Sequence, residues 1–226
     1  MYLKLKRLVD VFLSFSGLIV LSPVFLVLII AIKLDSKGPV LFKQKRVGKY
    51  KTYFYILKFR TMRIETPKDI PTHLLENPEQ WITKMGKFLR KTSLDELPQI
   101  INILKGEMSI IGPRPALWNQ YDLIEERDKY GANDVTPGLS GWAQINGRDT
   151  VEIEDKAWFD GYYTQNIGIL MDLKCFFGTV VNVLSRSGVF EGGTGEIERQ
   201  IAATREHDGE VEIMESKNVR QNEEVC

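Results

Sequence analysis

Cysteine and histidine are scarce in this sequence, whose 226 residues include only two of each. Cys175 lies in an apolar segment and Cys226 is the last residue, a spacing that fits neither a disulfide framework nor a set of zinc ligands. His73 lies in a proline-rich stretch and His207 in an acidic one, so we expect neither a histidine base nor a histidine metal centre. Carboxylates must therefore supply any acid, base or nucleophile.

Several nucleotide-binding and hydrolase motifs are also absent. The sequence has no GxxxxGK(S/T) phosphate loop, no GxGxxG fingerprint, no GxSxG nucleophile elbow and no CxxC pair. These absences argue against P-loop nucleotidases, Rossmann-type dehydrogenases, serine hydrolases and thioredoxin-like oxidoreductases.

Charge is distributed unevenly along a chain whose formal net charge is zero. Residues 1–63 contain 13 Lys and Arg residues against only Asp10 and Asp35, whereas residues 191–226 contain 4 basic and 10 acidic residues. The basic end also carries the longest apolar run, and this combination is attracted to anionic lipid surfaces. No nucleic-acid-binding motif is recognisable, so we expect membrane lipids and no nucleic acid as partners.

An uncharged apolar run covers residues 11–32 and has Ser22 and Pro23 at its centre. As a straight helix it would measure about 33 Å, enough to cross a hydrocarbon core of about 30 Å. Pro23 kinks or breaks a helix, because it lacks an N–H and clashes with the carbonyl four residues earlier. The Ser22 hydroxyl is suited to bond a carbonyl freed in this way.

Basic residues flank both ends of this run, which disfavours a single span, since cytoplasmic flanks collect Lys and Arg. We predict a re-entrant membrane helix over residues 1–36, broken at Ser22 and Pro23, with a kinked span as the alternative. A main domain over 37–190 and an acidic tail over 191–226 complete the expected organisation.

The main domain is predicted to be mainly α with one small antiparallel β-hairpin, an α+β arrangement. Residues 40–47 and 53–60 are β-prone runs joined by a short turn. Helices are predicted over residues 81–89, 94–104, 116–131 and 168–188. The last of these is apolar around most of its circumference, so we expect it to be buried or to lie in the lipid interface. Residues 112–115 (GPRP) are expected to be an irregular link, and 136–148 an ordered loop.

The stretch RKTSLDELPQ, residues 90–99, is the most informative for chemistry. Ser93 to Glu96 read as a capping box at the start of a helix. The same acidic pair, Asp95 and Glu96, is also suited to gather a hard divalent cation and a phosphate beside Arg90. Both interpretations stay open at this point.

Four further residues are candidates for binding. Arg114 lies between two prolines, where its guanidinium is suited to bidentate phosphate binding, although a surface arginine in a rigid turn is the ordinary alternative. Lys58 shares a strand face with Arg60, and such faces are usually solvated. Arg148 follows an Asn-Gly turn, and Asp172 lies on an apolar helix, where a carboxylate needs a partner.

Taken together, these stretches resemble the bacterial sugar transferase family, the monotopic phosphoglycosyl transferases that start glycoconjugate assembly on polyprenyl phosphate. The similar stretches are SP at 22–23, LKFRTM at 57–62, SLDELPQ at 93–99, LKGEMSIIGPRP at 104–115, TPGLSGWAQINGR at 136–148 and MDLK at 171–174. The resemblance extends over residues 1–188.

This resemblance implies an enzyme at the cytoplasmic face of the bacterial inner membrane, held there by the re-entrant helix and by interfacial amphipathic helices. Such enzymes transfer a sugar-1-phosphate from a UDP-sugar to polyprenyl (undecaprenyl) phosphate, release UMP and use Mg²⁺. By match to the family's Asp-Glu pair, Asp95 would be the nucleophile that forms a phosphosugar-aspartate intermediate, and Glu96 would hold Mg²⁺, with Asp95 beside it.

The resemblance also implies roles for the remaining candidates. These are phosphate binding by Arg90, Arg114 and Lys58, a nucleotide contact by Arg148 and a functional role for Asp172. Two other functions are carried as alternatives: a membrane-tethered interaction protein in which the acidic pair only caps a helix, and a lipid-diphosphate phosphatase. A homodimer is carried as a candidate assembly.

Overall fold

The computed structural model describes residues 2–66, 77–147 and 152–184. Within them lie eight α-helices and four β-strands. The helices are α1 (Tyr2–Val20), α2 (Ser22–Asp35), α3 (Lys84–Lys91), α4 (Gln99–Lys105), α5 (Tyr121–Asp128), α6 (Trp142–Asn146), α7 (Ile153–Gln165) and α8 (Ile169–Leu184). The strands are β1 (Leu41–Val47), β2 (Tyr53–Phe59), β3 (Ser109–Ile111) and β4 (Gly138–Ser140). The predicted mainly helical fold with a small antiparallel strand pair is confirmed.

All of these elements belong to one compact unit, formed by residues 1–69 and 81–191. A second unit comprises residues 70–80 and 192–226, and its described part is residues 77–80, with one turn of 3₁₀ helix at Pro78–Gln80. The predicted domain boundaries at residues 36 and 190 stay predictions.

Strands β1 and β2 form the predicted hairpin, in an antiparallel register that pairs Leu41 with Phe59. Phe54 and Ile56 are buried on the inner face of β2. Lys58 follows them with the same two-residue spacing, so it also points inward and not to solvent. The expectation of a solvated strand face at this position is therefore wrong.

The second predicted helix begins later than its apolar spacing suggests. Leu94–Glu96 form a single 3₁₀ turn, and α4 starts only after Pro98. Ser93 has a left-handed φ of 56° and its side chain makes no capping hydrogen bond, so the predicted capping box does not form. Pro98 explains the break, because proline is accepted at the start of a helix but not in its interior.

A second, parallel strand pair was not predicted. β3 pairs with β4, and β4 and α6 both lie in the glycine-rich stretch that was expected to be a loop. A Cβ on Gly138 would lie 2.1 Å from the Gly112 backbone nitrogen, so glycine is required where the two strands meet. Strands of three residues give almost no alternation in sequence, and their pairing is set by contacts far along the chain.

Helices α1 and α2 form a bent pair at the predicted break. Among the described residues, no single helix is both long and apolar enough to cross a membrane. Together α1 and α2 have the required length and apolarity, but the pair is bent by 62°. The Ser22 hydroxyl donates a 2.7 Å hydrogen bond to the Ile19 carbonyl, the one that Pro23 leaves without its usual helical donor. This confirms the role that we expected for the Ser22 hydroxyl.

One face of α1 is polar and packs on the rest of the unit. Asp10 is buried and accepts hydrogen bonds from the Ser109 hydroxyl at 2.8 Å and the Ile110 N–H at 3.0 Å. Arg7 donates to the carbonyls of Ile103 at 2.5 Å and Leu104 at 2.9 Å, at the end of α4. The first half of α1 is therefore fixed to β3 and α4.

The far end of α2 returns to the same unit. Leu28 and Ile32 are buried in a cluster with Phe59 and Leu89. Arg60, which is also buried, donates to the carbonyls of the Ser36–Lys37 link at 2.7 Å each. Large apolar side chains remain exposed elsewhere on both helices: Leu3, Leu8, Phe12, Phe15, Ile19, Val20, Leu26, Val27, Ile30 and Leu34.

Helix α8 is buried on one face only. Met171 and Cys175 are buried, and burial raises the pKa of the Cys175 thiol to about 12. The opposite face exposes Leu170, Phe177 and Val181. The helix thus has one packed face, as expected for a buried helix, and one exposed apolar face, for which the lipid interface stays a prediction.

Gly86 of α3 provides a stability test of the packing between α3 and the backbone of Thr61. A Cβ at this position would lie 1.9 Å from the Thr61 carbonyl oxygen, so Gly86→Ala should lower the free energy of unfolding by about 2 kcal/mol or more. Gly17→Ala in α1 is the matched control, because its nearest neighbour is a side-chain atom at 4.0 Å. Thermal unfolding in detergent measures both, and equal stability of the two variants would contradict this packing.

Candidate active site

Asp95 and Glu96 lie together on the 3₁₀ turn between α3 and α4. Their side chains are only 13% and 21% exposed. Lys58, at the end of β2, and Arg114, in the GPRP link after β3, extend to this turn from two other parts of the chain. The structure therefore brings four of the predicted site residues together.

The Glu96 carboxylate is bound by two cations. Its Oε1 atom accepts a hydrogen bond from Lys58 Nζ at 2.7 Å and another from the Arg114 guanidinium at 2.5 Å. A second guanidinium nitrogen of Arg114 lies 3.4 Å from Glu96 Oε2. Burial raises the pKa of Glu96, but Arg114 and Lys58 outweigh it and hold the pKa well below its usual range. Glu96 is therefore a fixed anion.

The neighbouring Asp95 carboxylate is in a different environment. Lys58 Nζ lies 3.7 Å from its Oδ2 atom, and within the described residues Asp95 has no hydrogen bond. Burial raises the pKa of Asp95 and the Glu96 charge adds to this, while Lys58, Arg90 and Arg114 lower it; the net direction is upward. A buried carboxylate that is free of hydrogen bonds and more basic than usual is suited to act as a nucleophile.

Arg90 completes the positive side of the site. It lies in the last turn of α3, and its Nε donates a 3.0 Å hydrogen bond to the Thr61 hydroxyl. The positive charge of Arg90 acts on the Asp95 carboxylate and lowers its pKa, as the charges of Lys58 and Arg114 do. Lys58 and Arg114 thus contact the pair of carboxylates and Arg90 adds a third positive charge that acts on Asp95, an arrangement suited to bind a diphosphate.

Asp172 contacts a different set of residues, none of which is in the group around Asp95 and Glu96. It accepts hydrogen bonds from Tyr2 at 2.6 Å, from Lys6 at 2.5 Å and from the Tyr163 hydroxyl at 2.8 Å. It therefore joins the start of α1 to α7 and α8. Arg148 lies outside the described residues, so its predicted nucleotide contact stays a prediction.

Binding of Mg²⁺ at this site would depend on the carboxylates of Asp95 and Glu96. In the described ranges no three His, Cys, Asp or Glu side chains gather in a group that could hold a metal. Mg²⁺, however, usually takes one or two carboxylates and completes its shell with water and substrate phosphate oxygens. Glu96 Oε2, whose nearest donor is 3.4 Å away, and Asp95 supply such a pair, so the residues fit a magnesium ion bound together with a diphosphate.

Comparisons with known proteins identify the family. A family model described as bacterial sugar transferase matches residues 1–186.

The chain belongs to the bacterial sugar transferase family.

Relatives in this family include transferases that act on a lipid phosphate. An uncharacterized sugar transferase of Bacillus subtilis, EpsL, is 40% identical over 185 residues, which cover 82% of this chain and 90% of the relative. The UDP-glucose:undecaprenyl-phosphate glucose-1-phosphate transferase of Escherichia coli is 42% identical over 184 residues, 78% of this chain and 39% of the relative. An Aeromonas hydrophila UDP-N-acetylgalactosamine-undecaprenyl-phosphate N-acetylgalactosaminephosphotransferase is 35% identical over 195 residues, 83% of this chain and 45% of the relative.

The chain spans less than half of the length of the E. coli and A. hydrophila relatives. Membership of the bacterial sugar transferase family and the names of these relatives support the prediction of a phosphoglycosyl transferase.

Three residues next to this sugar transferase site were missed from sequence. Arg46 donates to the Pro115 carbonyl at 3.1 Å, and Arg127 donates to the Arg114 carbonyl at 2.9 Å and to Asp160. Arg46 and Arg127 lie in stretches rich in other charged residues, where an ordinary surface position was the natural interpretation, whereas Asp160 lies among aromatic residues. The resemblance covered their segments, but none lies in the motifs that carried it.

The two neighbouring carboxylates should affect stability in opposite directions. Burial raises the pKa of Asp95, so its ionised form destabilises the fold, and Asp95→Asn should raise the free energy of unfolding at pH 7 by about 1 kcal/mol. Glu96→Gln removes a charge that Lys58 and Arg114 stabilise, so this substitution should lower the free energy of unfolding by about 2 kcal/mol. Thermal unfolding in detergent checks both.

Both effects should fade in acid. The Glu96 contribution is present above the ordinary glutamate pKa of about 4.3 and is lost as the pH falls through its lower folded-state pKa. The Asp95 cost is absent below the ordinary aspartate pKa of about 3.9 and grows as the pH rises through its raised pKa. Equal destabilisation by the two substitutions at pH 7 would contradict these assignments.

Proposed function

We propose that this chain transfers a sugar-1-phosphate from a UDP-sugar to a polyprenyl (undecaprenyl) phosphate, releasing UMP and forming a polyprenyl-diphosphate-sugar. The observation that carries the proposal is a pair of neighbouring carboxylates in different environments. Glu96 accepts hydrogen bonds from Lys58 and Arg114, whereas the Asp95 carboxylate accepts none within the described residues and is acted on by three positive charges. The names of the E. coli and A. hydrophila relatives support the acceptor and the type of donor.

In the first step, Asp95 attacks the phosphorus next to the sugar. A bond forms between Asp95 Oδ and that phosphorus, and the bond between phosphorus and the bridging oxygen of the diphosphate breaks. UMP leaves with that electron pair, and the enzyme holds a phosphosugar-aspartate. The covalent step divides one difficult transfer into two easier ones.

In the second step, an oxygen of the polyprenyl phosphate attacks the same phosphorus. The bond to Asp95 breaks, the carboxylate is regenerated and the lipid carries the new diphosphate. Because UMP has already left, both substrates can use one pocket in turn. The close Lys58 cation at 3.7 Å stabilises the carboxylate that leaves.

The cations stabilise negative charge in both steps. Arg114 and Lys58 are held by Glu96 before substrate binds, so they need little reorganisation to stabilise phosphoryl oxygens. Arg90 adds a third positive charge on the Asp95 side. Mg²⁺ bound by Glu96, with Asp95 beside it, would neutralise charge on the diphosphate and on the departing UMP.

We further propose that α1 and α2 form a re-entrant membrane element and that the enzyme is monotopic at the cytoplasmic face. Both ends of the pair are fixed to the same compact unit: α1 through Arg7 and Asp10, and α2 through Leu28 and Ile32. A helix pair whose two ends meet one unit and whose bend exposes apolar side chains fits entry and exit by the same face. The exposed face of α8 fits an interfacial helix.

Loss of the nucleophile tests the proposed reaction. Asp95→Asn should reduce UMP release by at least about 10³-fold, because the amide cannot form the covalent intermediate. UMP release from UDP-glucose, UDP-galactose and UDP-N-acetylgalactosamine, with undecaprenyl phosphate and Mg²⁺, measures this. Asp128→Asn is the matched control, since Asp128 is a surface aspartate paired with Lys51.

The intermediate has its own signature. Wild-type enzyme incubated with the donor alone should gain the mass of the sugar phosphate on the peptide that contains Asp95. An active enzyme with no such adduct would contradict the mechanism, and release of inorganic phosphate from a lipid diphosphate without any UDP-sugar would favour a phosphatase.

Cysteine labelling tests the membrane arrangement. In a variant without its native cysteines, Lys4→Cys and Lys37→Cys should react with an impermeant reagent only from the cytoplasmic side, because both exposed positions lie at the ends of the bent pair. Val20→Cys, near the bend, should be protected from both sides. Labelling of the two end positions from opposite sides would contradict the re-entrant arrangement.

A further inference from the structure

The GPRP link that carries Arg114 is fixed by its backbone. The Gly112 N–H donates to the Ser140 carbonyl at 2.7 Å, and the Pro113 carbonyl accepts from the Gly138 N–H at 2.8 Å. Pro113 and Pro115 have no N–H of their own, so the carbonyls of the link are its main points of attachment.

Two of these carbonyls are bound by arginine side chains. Arg46 donates to the Pro115 carbonyl at 3.1 Å, and Arg127 NH2 donates to the Arg114 carbonyl at 2.9 Å. Arg127 therefore contacts the same residue whose guanidinium binds Glu96. Its contact is with the backbone carbonyl of Arg114, whereas the Arg114 guanidinium contacts Glu96.

Arg127 is itself held by a second buried group. Its Nε donates to Asp160 Oδ2 at 2.9 Å, and its NH2 contacts the same oxygen. The side chains of Arg127 and Asp160 are only 4% and 1% exposed, and they join α5 to α7. A buried ion pair contributes little net stability compared with apolar residues of the same volume, because desolvation opposes the attraction. This pair is better explained by the geometry that it imposes.

We propose that Arg127, held by Asp160, is a positioning residue that sets the direction of the Arg114 guanidinium at the active site. The inference rests on the proposed function. Arginine suits this role, because its planar guanidinium carries several donors at fixed angles and can bind a carboxylate and a carbonyl together. With the Arg114 carbonyl fixed, the Arg114 side chain has fewer directions to take and remains on Glu96. A small displacement of such a group can cost about 100-fold in rate.

A double-mutant cycle tests the proposal. Arg127→Met should lower kcat/KM for UMP release by about tenfold or more in the wild-type background, measured with the best donor among the three UDP-sugars. In the Arg114→Met background the same substitution should lower kcat/KM by less than about twofold, because the group that it positions is gone. Equal effects in both backgrounds would overturn the proposal and leave Arg127 a structural residue.

Arg7→Met is the matched control. Arg7 also donates to two backbone carbonyls, but at the end of α4 and not in the GPRP link. The fold-change in kcat/KM caused by Arg7→Met should therefore be the same in the wild-type and Arg114→Met backgrounds. If the wild-type enzyme releases no UMP at all, the proposed function fails; if it is active and the Arg127 effect multiplies as the control does, only the positioning role fails.

A second variant guards against loss of folding. Arg127→Met combined with Asp160→Leu replaces both charges with apolar groups, which avoids an unpaired buried charge. This variant should unfold within a few degrees of wild type and still lose kcat/KM by about tenfold, because the contact with the Arg114 carbonyl is missing. Arg127→Lys should recover only part of the activity, and full activity of the apolar pair would overturn the proposal.

Discussion

The shared carboxylate of Glu96 is the contact on which the candidate site depends. Lys58 and Arg114 both bind one of its oxygens, and the two cations come from stretches that lie 38 and 18 residues away in sequence. Without this anion they would repel each other, since both are positive and both bind the same carboxylate oxygen. Asp95 lies in the resulting positive field while its carboxylate makes no hydrogen bond within the described residues. The two neighbouring acids therefore have different environments, one that binds cations and one that suits the nucleophile of the proposed reaction.

The polar face of α1 and the apolar end of α2 connect this site to the bent helix pair. Asp10 binds β3, which leads directly into the GPRP link, and Leu28 packs beside Phe59, the residue after Lys58. The bent helix pair and the carboxylates of Asp95 and Glu96 are therefore held by the same short elements. In the proposed reaction on a lipid phosphate, this coupling would keep Asp95 at a constant distance from the helix pair.

Local patterns predicted the parts of the fold that depend on nearby residues. The hairpin followed from two β-prone runs, and the break at Ser22 and Pro23 followed from the missing N–H of proline. The β3 and β4 pair and the late start of α4 were missed, because both depend on contacts or on a proline that the apolar spacing conceals. The site residues were identified through the family resemblance, since Ser-x-x-Glu alone equally predicts a cap. Arg127 and Asp160 gave no signal, because burial of a charged residue is decided by distant partners.

The buried Asp10 limits which helix can take the place of α1. Its two carboxylate oxygens are the acceptors for the Ser109 hydroxyl and the Ile110 N–H, so a generic apolar helix in place of α1 would leave both donors unsatisfied next to the GPRP link. Helix α1 is thus no modular attachment that another hydrophobic segment could replace. Its sequence is constrained in the way that a core strand is constrained, and transplanting it would disturb the packing of the link that carries Arg114.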